Sequence, residues 1–214
     1  MPSRTPTALP VLWIATTNPG KTREFKSLFG AKWDVRDLHS FPKLPEIKET
    51  GKTFVANAKI KALALSHALP GKLIMADDSG LVVPALGGRP GVRSARYSGP
   101  RATNESNRTK LLKAMVGLSG QARRAYFQAT LVLALHGRVF GVKHGRVWGL
   151  ITTEERGEGG FGYDPIFRPA GYLGTFGELS AATKKKVSHR ARAARSLATL
   201  LSRARALTRP INHI

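Results

Sequence analysis

The chain of 214 residues contains no cysteine. That excludes a disulfide framework, a thiol nucleophile and any thiolate metal site, and it is compatible with a reducing compartment. No apolar run approaches the roughly 20 residues that span a bilayer, so no membrane role is expected. The run Ala8-Leu9-Pro10-Val11-Leu12-Trp13-Ile14-Ala15 is broken by Pro10 and lacks a small-residue cleavage site, so it reads as a first strand rather than a signal segment. Acids are scarce: 13 Asp and Glu stand against 35 Lys and Arg, a formal charge of +22. Such an excess implies a polyanionic partner, whether nucleotide, nucleic acid or acidic surface. No acid follows Glu178, while Lys184, Lys185, Lys186, Arg190, Arg192, Arg195, Arg203, Arg205 and Arg209 all do. For that tail a solvated basic helix face is favoured over a nucleic-acid platform.

What is present is enough for a real core, since 42% of residues are hydrophobic. One unit over 1–214 is expected, in two closely joined lobes, with no internal repeat and no clean boundary. Its centre is Ala76-Asp77-Asp78-Ser79-Gly80, at the end of the apolar run Leu73-Ile74-Met75. A strand that delivers two carboxylates and a hydroxyl to its carboxyl end is where open α/β sheets place ligands. Successive side chains point to opposite faces, so Asp77 and Asp78 are expected to do different jobs. Asp-Asp-Ser-Gly is also ordinary turn chemistry, and the stretch alone does not decide between the two.

Val11 to Ala15 reads as a strand, followed by the loop Thr16-Thr17-Asn18-Pro19-Gly20-Lys21-Thr22 and a helix over Arg23 to Phe29. Strand, Gly-containing loop and helix aim amides and a lysine at a phosphate. Ala15-x4-Gly20-Lys21-Thr22 differs from a Walker A motif only in its first position, and a P-loop kinase or ATPase is one alternative. The missing glycine and Pro19, which removes an N–H donor, count against it. Trp33 to Leu38 reads as a strand, and a loop with Pro42 and Pro45 leads to Glu49 just ahead of a helix from Thr53 to Leu69. A helix over Asn104 to Met115 and strands at Ala125–Leu135, Val139–Val142 and Trp148–Ile151 follow. In Gly159-Gly160-Phe161-Gly162-Tyr163-Asp164, aromatics beside glycine suit stacking on a planar base. Lys184 and His189 are five apart, so a helix break near Ser188 is needed for both to face one ligand.

Five stretches, in order and over nearly the whole chain, carry a resemblance. They are Thr16-x-Asn18-x-x-Lys21; Glu49-Thr50-Gly51-x-Thr53-Phe54-x-x-Asn57-Ala58; Ala76-Asp77-Asp78-Ser79-Gly80-Leu81 with Gly88-x-Pro90-Gly91-x-x-Ser94-Ala95-Arg96-Tyr97; Gly160-Phe161-Gly162-Tyr163-Asp164-Pro165-Ile166-Phe167; and Glu178-Leu179-Ser180 with Lys184 and Ser188-His189-Arg190. Together they resemble the inosine triphosphate pyrophosphatase family, also called dITP/XTP pyrophosphatases. The resemblance implies an α/β fold with a long twisted mixed sheet flanked by helices, two lobes around a nucleotide cleft, a homodimer and a cytoplasmic setting. It implies Mg²⁺-dependent hydrolysis of the purine nucleoside triphosphates ITP, dITP and XTP to monophosphate and pyrophosphate. Asp78 would be the general base and, with Glu49, a metal ligand. Thr16, Thr17, Asn18, Pro19, Gly20 and Lys21 would form the phosphate loop, and Ser79 would touch substrate. Phe161, Gly162, Tyr163, Asp164, Lys184, His189 and Arg190 would hold base and sugar. Lys48 stands where many relatives carry another acid beside Glu49, and the charge is more basic than the family's norm. A related pyrophosphatase for modified pyrimidines and a non-enzymatic nucleic-acid-binding module are the remaining alternatives.

Overall fold

The computed structural model describes residues 8–40 and 47–207; Pro42 and Pro45 of the expected loop and Arg209 of the basic tail lie outside the described residues. Strand β1 (Val11–Ile14) runs into helix α1 (Pro19–Phe29), and β2 (Asp34–Asp37) returns parallel to β1. Helix α2 (Phe54–Ala68), capped by the Thr53 side chain on Ala56 N–H, then crosses to β3 (Ile74–Val82), again parallel to β1. From there the sheet turns antiparallel. Helix α3 (Asn104–Ala114) precedes a long hairpin of β4 (Arg124–Leu135) and β5 (Arg138–Ile151), and β6 (Phe167–Pro169) adds a short edge. Helices α4 (Ala181–Val187) and α5 (His189–Leu207) close the chain. Among the described residues the strand order is β2-β1-β3-β4-β5-β6, a mixed sheet as expected.

Apolar side chains divide over the two sheet faces. On one face Phe25 and Phe29 of α1 and Ala193, Leu197 and Leu201 of α5 pack on Leu12, Met75, Leu131 and Leu133. On the other, Ala58, Ala62 and Leu65 of α2 pack on Trp13, Ile74, Ala76 and Val132. A third cluster at the far end of the long strands joins Leu81, Leu111, Met115, Phe127, Val147, Phe167 and Phe176. Two lobes therefore share one sheet, with β3, β4 and β5 running through both. Pairing of β1 with β3 stops at Met75, so β3 continues from Ala76 on β4 alone. That step, at the carboxyl end of β1, is where the cleft opens.

Three differences from the sequence reading have physical causes. The Asp pair lies inside β3 rather than at its end, because cations from three helices neutralise it (below). Helix α1 starts at Pro19, not Arg23: proline needs no N–H donor at the first turn, and Asn18 caps it by accepting from Gly20 and Lys21 N–H. Val139–Val142 and Trp148–Ile151 are one strand, whose pattern is thinned by glycines at 141, 145 and 149. Helix α5 lies so close that a Cβ at Gly145 would run into the His189 carbonyl and the Ala193 backbone, whereas at Gly141 it would meet the movable Leu200 side chain. Gly145→Ala is therefore expected to cost about 2 kcal/mol or more, with Gly141→Ala much milder, as read by scanning calorimetry.

Candidate active site

Strand alternation sends the adjacent acids of β3 to opposite sides. Asp77 joins the face of Met75 and Leu81, toward α1 and α5; Asp78 joins that of Ala76, toward α2. Asp77 is 0% exposed, and its Oδ2 takes Lys21 Nζ at 2.8 Å, Arg190 Nε at 3.3 Å and the Ser79 hydroxyl at 3.0 Å. Burial alone would raise its pKa; Lys21 and Arg190 override that and hold it far below the usual carboxylate value. It is a fixed anion. Lys21, half-buried, is pushed down by desolvation against the pull of Asp77.

Asp78 has the opposite character. Its Oδ1 faces Lys61 Nζ at 3.2 Å, and Oδ2 is buried with no partner among the described residues. Desolvation, opposed by Lys61 and reinforced by Glu49 and Asp77, leaves its pKa raised. Two neighbouring carboxylates whose environments push their pKa values apart have separate roles, and the raised one is the base candidate. The Lys61 ammonium also meets Glu49 Oε1 at 2.8 Å and donates to Asp77 O at 2.8 Å, so one buried cation gathers both acids of the α2 side. Despite its burial its pKa is raised by Asp78 and Glu49. Glu49 is held low: burial opposes this, but Lys61 and, further off, Lys21 and Arg96 prevail. Lys48 is exposed.

The wall beyond is built by α4, α5 and the glycine loop. Ser188 closes α4 with an extended ψ of 159° and caps α5 by accepting from Ala191 N–H, which supplies the expected break. Lys184, buried, bonds Glu24 Oε1 at 2.6 Å and Asp164 Oδ2 at 2.5 Å. Asp164 also accepts from Phe161 N–H, and burial, against Lys184, raises its pKa. Phe161 is flanked by Gly160 and Gly162, with φ of +78° and +64°, a backbone only glycine adopts freely. Its ring leans on Gly20 of α1, where a Cβ would approach to 2.6 Å, and Lys184 and Arg190 lie each 5.1 Å from its centre. Arg190 is fully engaged: Nη1 meets Glu24 Oε2 at 2.9 Å, Nη2 donates to Ser79 Oγ at 2.6 Å and Nε reaches Asp77. His189 is the reverse: it stacks on Phe127 at 4.7 Å, 2% exposed, with both ring nitrogens lacking a partner among the described residues. Burial and the Arg190 charge put its pKa well below 6.5, so the imidazole is neutral at pH 7. Tyr163 donates to Ser94 O and pins the glycine loop to the turn Gly91–Arg96.

A cavity of about 130 Å³ lies between the lobes, lined by Asn18, Lys21, Glu49, Asp78, His189 and Arg190 among others. A second, of about 330 Å³ beside α1 and α4, is separated from it by the Phe161 ring. Every expected residue except three thus lies at the cleft or in the network behind it. Thr17 and Pro19 are exposed on the loop, and Thr16 is buried, with its Oγ1 accepting from Asn18 N–H. The Gly20 and Lys21 amides, which a P-loop would present to phosphate, are taken by Asn18 Oδ1. Sequence reasoning missed Lys61 and Glu24. Lys61 falls on the buried stripe of α2 beside Ala58, Ala62 and Leu65, and Glu24 lies three residues from Lys21 on one helix face, which are the signals that could have found them.

A dITP/XTP pyrophosphatase of Streptococcus pyogenes serotype M3 is 47% identical over 189 residues, 87% of this chain and 57% of that protein, so the chain spans little more than half its length. One of the same name from Bacillus licheniformis is 46% identical over 192 residues, covering 89% of this chain and 97% of its own. The solved structure of the Staphylococcus aureus Ham1 protein superposes with a TM-score of 0.79 at 37% identity, over 90% of this chain and 98% of that one. The sequence model of the Ham1 family matches residues 12–200, and the chain belongs to that family.

Proposed function

We propose that the protein hydrolyses the triphosphates of deaminated purines, ITP, dITP and XTP, between the α and β phosphates, releasing monophosphate and pyrophosphate. The observation that carries this is that Asp78 and Glu49, drawn together by the Lys61 ammonium, line the same cavity as Lys21 and His189. The relatives named dITP/XTP pyrophosphatase support it.

No group of three or more metal-binding side chains occurs among the described residues. Two carboxylates, one with an unpartnered oxygen, suit an ion that takes its remaining oxygens from phosphate and water, which is the habit of Mg²⁺. Glu49 and Asp78 would hold it. When bound it supplies acidity to water and neutralises phosphate oxygens, which a carboxylate near pKa 4 facing water of pKa about 15.7 cannot do alone. Asp78 takes the proton of the attacking water. The water oxygen bonds to the α phosphorus, the bond to the bridging oxygen breaks, and Lys21 neutralises the departing pyrophosphate.

For the base, the keto oxygen O6 of inosine and xanthine accepts a hydrogen bond where adenine offers an amino donor. With Arg190 already committed to Glu24, Ser79 and Asp77, the neutral His189 N–H is the available donor. A magnesium-dependent assay of pyrophosphate release over ITP, XTP, GTP, ATP and modified pyrimidine triphosphates tests the reading. ITP and XTP should lead by kcat/KM, and His189→Leu should cut the preference for ITP over ATP roughly tenfold, the worth of one hydrogen bond. GTP or a pyrimidine turned over as fast as ITP refutes the assignment.

A further inference from the structure

Helix α2 covers its sheet face only over Val132 and Ala134 and their neighbours. Further along the same face of β4 and β5 stand Arg124, Tyr126 and Gln128 opposite Leu150, Trp148 and Arg146. Tyr126 and Trp148 are half-buried in mutual contact, ring centres 4.5 Å apart, and the two arginines are exposed. The Arg146 guanidinium lies 4.1 Å from the Tyr126 ring centre and that of Arg124 4.5 Å from the Trp148 centre. No acid occurs between Arg124 and Ile151. Strand β5 pairs with β6 only from Gly149 to Ile151, so among the described residues no strand pairs with the outer edge of its earlier residues. Along that edge Arg192 of α5 donates to Arg146 O at 3.1 Å, and Arg195 donates to Lys186 O at 2.9 Å; both side chains and those of Lys185 and Lys186 are exposed. Arg192 thus links the cations of α5, which packs on the other sheet face, round the β5 edge to the aromatic pair.

We infer that this surface binds single-stranded nucleic acid, with bases on Tyr126 and Trp148 and phosphates along Arg146, Arg192, Arg195 and the two lysines. Backbone-tracking cations beside aromatic rings are the two components of sequence-tolerant single-strand binding. A base stacked on a half-buried ring outweighs an exposed guanidinium lying on it, so a base displaces Arg124 or Arg146, which then meets a phosphate. A duplex keeps its base faces covered and engages only the cations. A second copy of the chain would set Arg124 and Arg146 against like charge, which selects for a polyanion instead. The inference is independent of the proposed hydrolysis.

The test is fluorescence anisotropy with a labelled oligothymidylate of about twelve nucleotides and the matching duplex, from about 50 to about 200 mM salt. The single strand should bind more tightly than the duplex and quench Trp148, since Trp13 and Trp33 are buried. The double change Tyr126→Ala with Trp148→Ala should weaken binding at least about tenfold, the Phe pair should restore most of it, and nucleotide hydrolysis should be unchanged. Arg192→Ala with Arg195→Ala should flatten the salt slope by about 1.4. Equal binding of duplex and single strand with indifference to the aromatic variants would overturn the inference in favour of diffuse charge. So would a dimer at working concentration that shields Trp148 from iodide and excludes the oligonucleotide.

Discussion

Asp78→Asn should lower turnover of ITP by about 10²–10⁴-fold, the usual worth of a positioned proton acceptor. The amide keeps the shape and much of the polarity but cannot take the proton from water, so nucleotide affinity should stay within an order of magnitude. Stability should hardly fall, because the wild-type carboxylate is penalised by burial, and its pKa is raised for that reason. The same shift sets the acid limb of the wild-type profile. Asp78 must be ionised to act, so kcat/KM should be lost as pH falls through a pKa above the ordinary 3.8. Near-normal turnover in Asp78→Asn, measured by pyrophosphate release with binding followed by calorimetry, would remove Asp78 from the chemistry.

Asp77→Asn should show the opposite signature. This residue neutralises Lys21 and Arg190 in the interior, and removing one partner of a buried ion pair costs about 3–5 kcal/mol. At about 2–4 °C per kcal/mol for a chain of this size, Tm should drop by about 10 °C. Its pKa is depressed in the folded state, so its contribution is present above the unfolded value near 3.8 and lost as pH falls toward the folded one. The gap in Tm between wild type and Asp77→Asn should therefore be constant near neutrality and close in acid. A gap that persists undiminished at the lowest pH at which both fold would show that the charge is not the cause. Adjacent acids on one strand would then be separated by experiment: one fails in turnover, the other in stability.

Much of this was legible in the chain. Period-two alternation was enough to send Asp77 and Asp78 to different faces, and the five-residue spacing of Lys184 and His189 required the break that Ser188 provides. The helices that start near Thr53 and Asn104 followed from the spacing of their apolar residues, which is local. What was not legible depends on partners distant in sequence. A charged pair in the middle of a buried strand makes sense only with Lys21, Lys61 and Arg190 in place, from α1, α2 and α5. The single long β5 was hidden because Gly141 and Gly145 answer to α5, some fifty residues later, and Gly149 to β6, not to the strand itself. Glu24 was hidden because it looks like ordinary helix surface until α1 is docked, and Lys61, although on the apolar stripe of α2, has no visible purpose until Glu49 and Asp78 are placed beside it.

The expectation that matters most is the site of bond cleavage, and isotope placement reads it directly. Hydrolysis of ITP with magnesium in ¹⁸O-labelled water, followed by phosphorus NMR, should give inosine monophosphate carrying the label and unlabelled pyrophosphate. Inosine diphosphate with labelled inorganic phosphate would place the attack at the far end of the triphosphate and contradict the account.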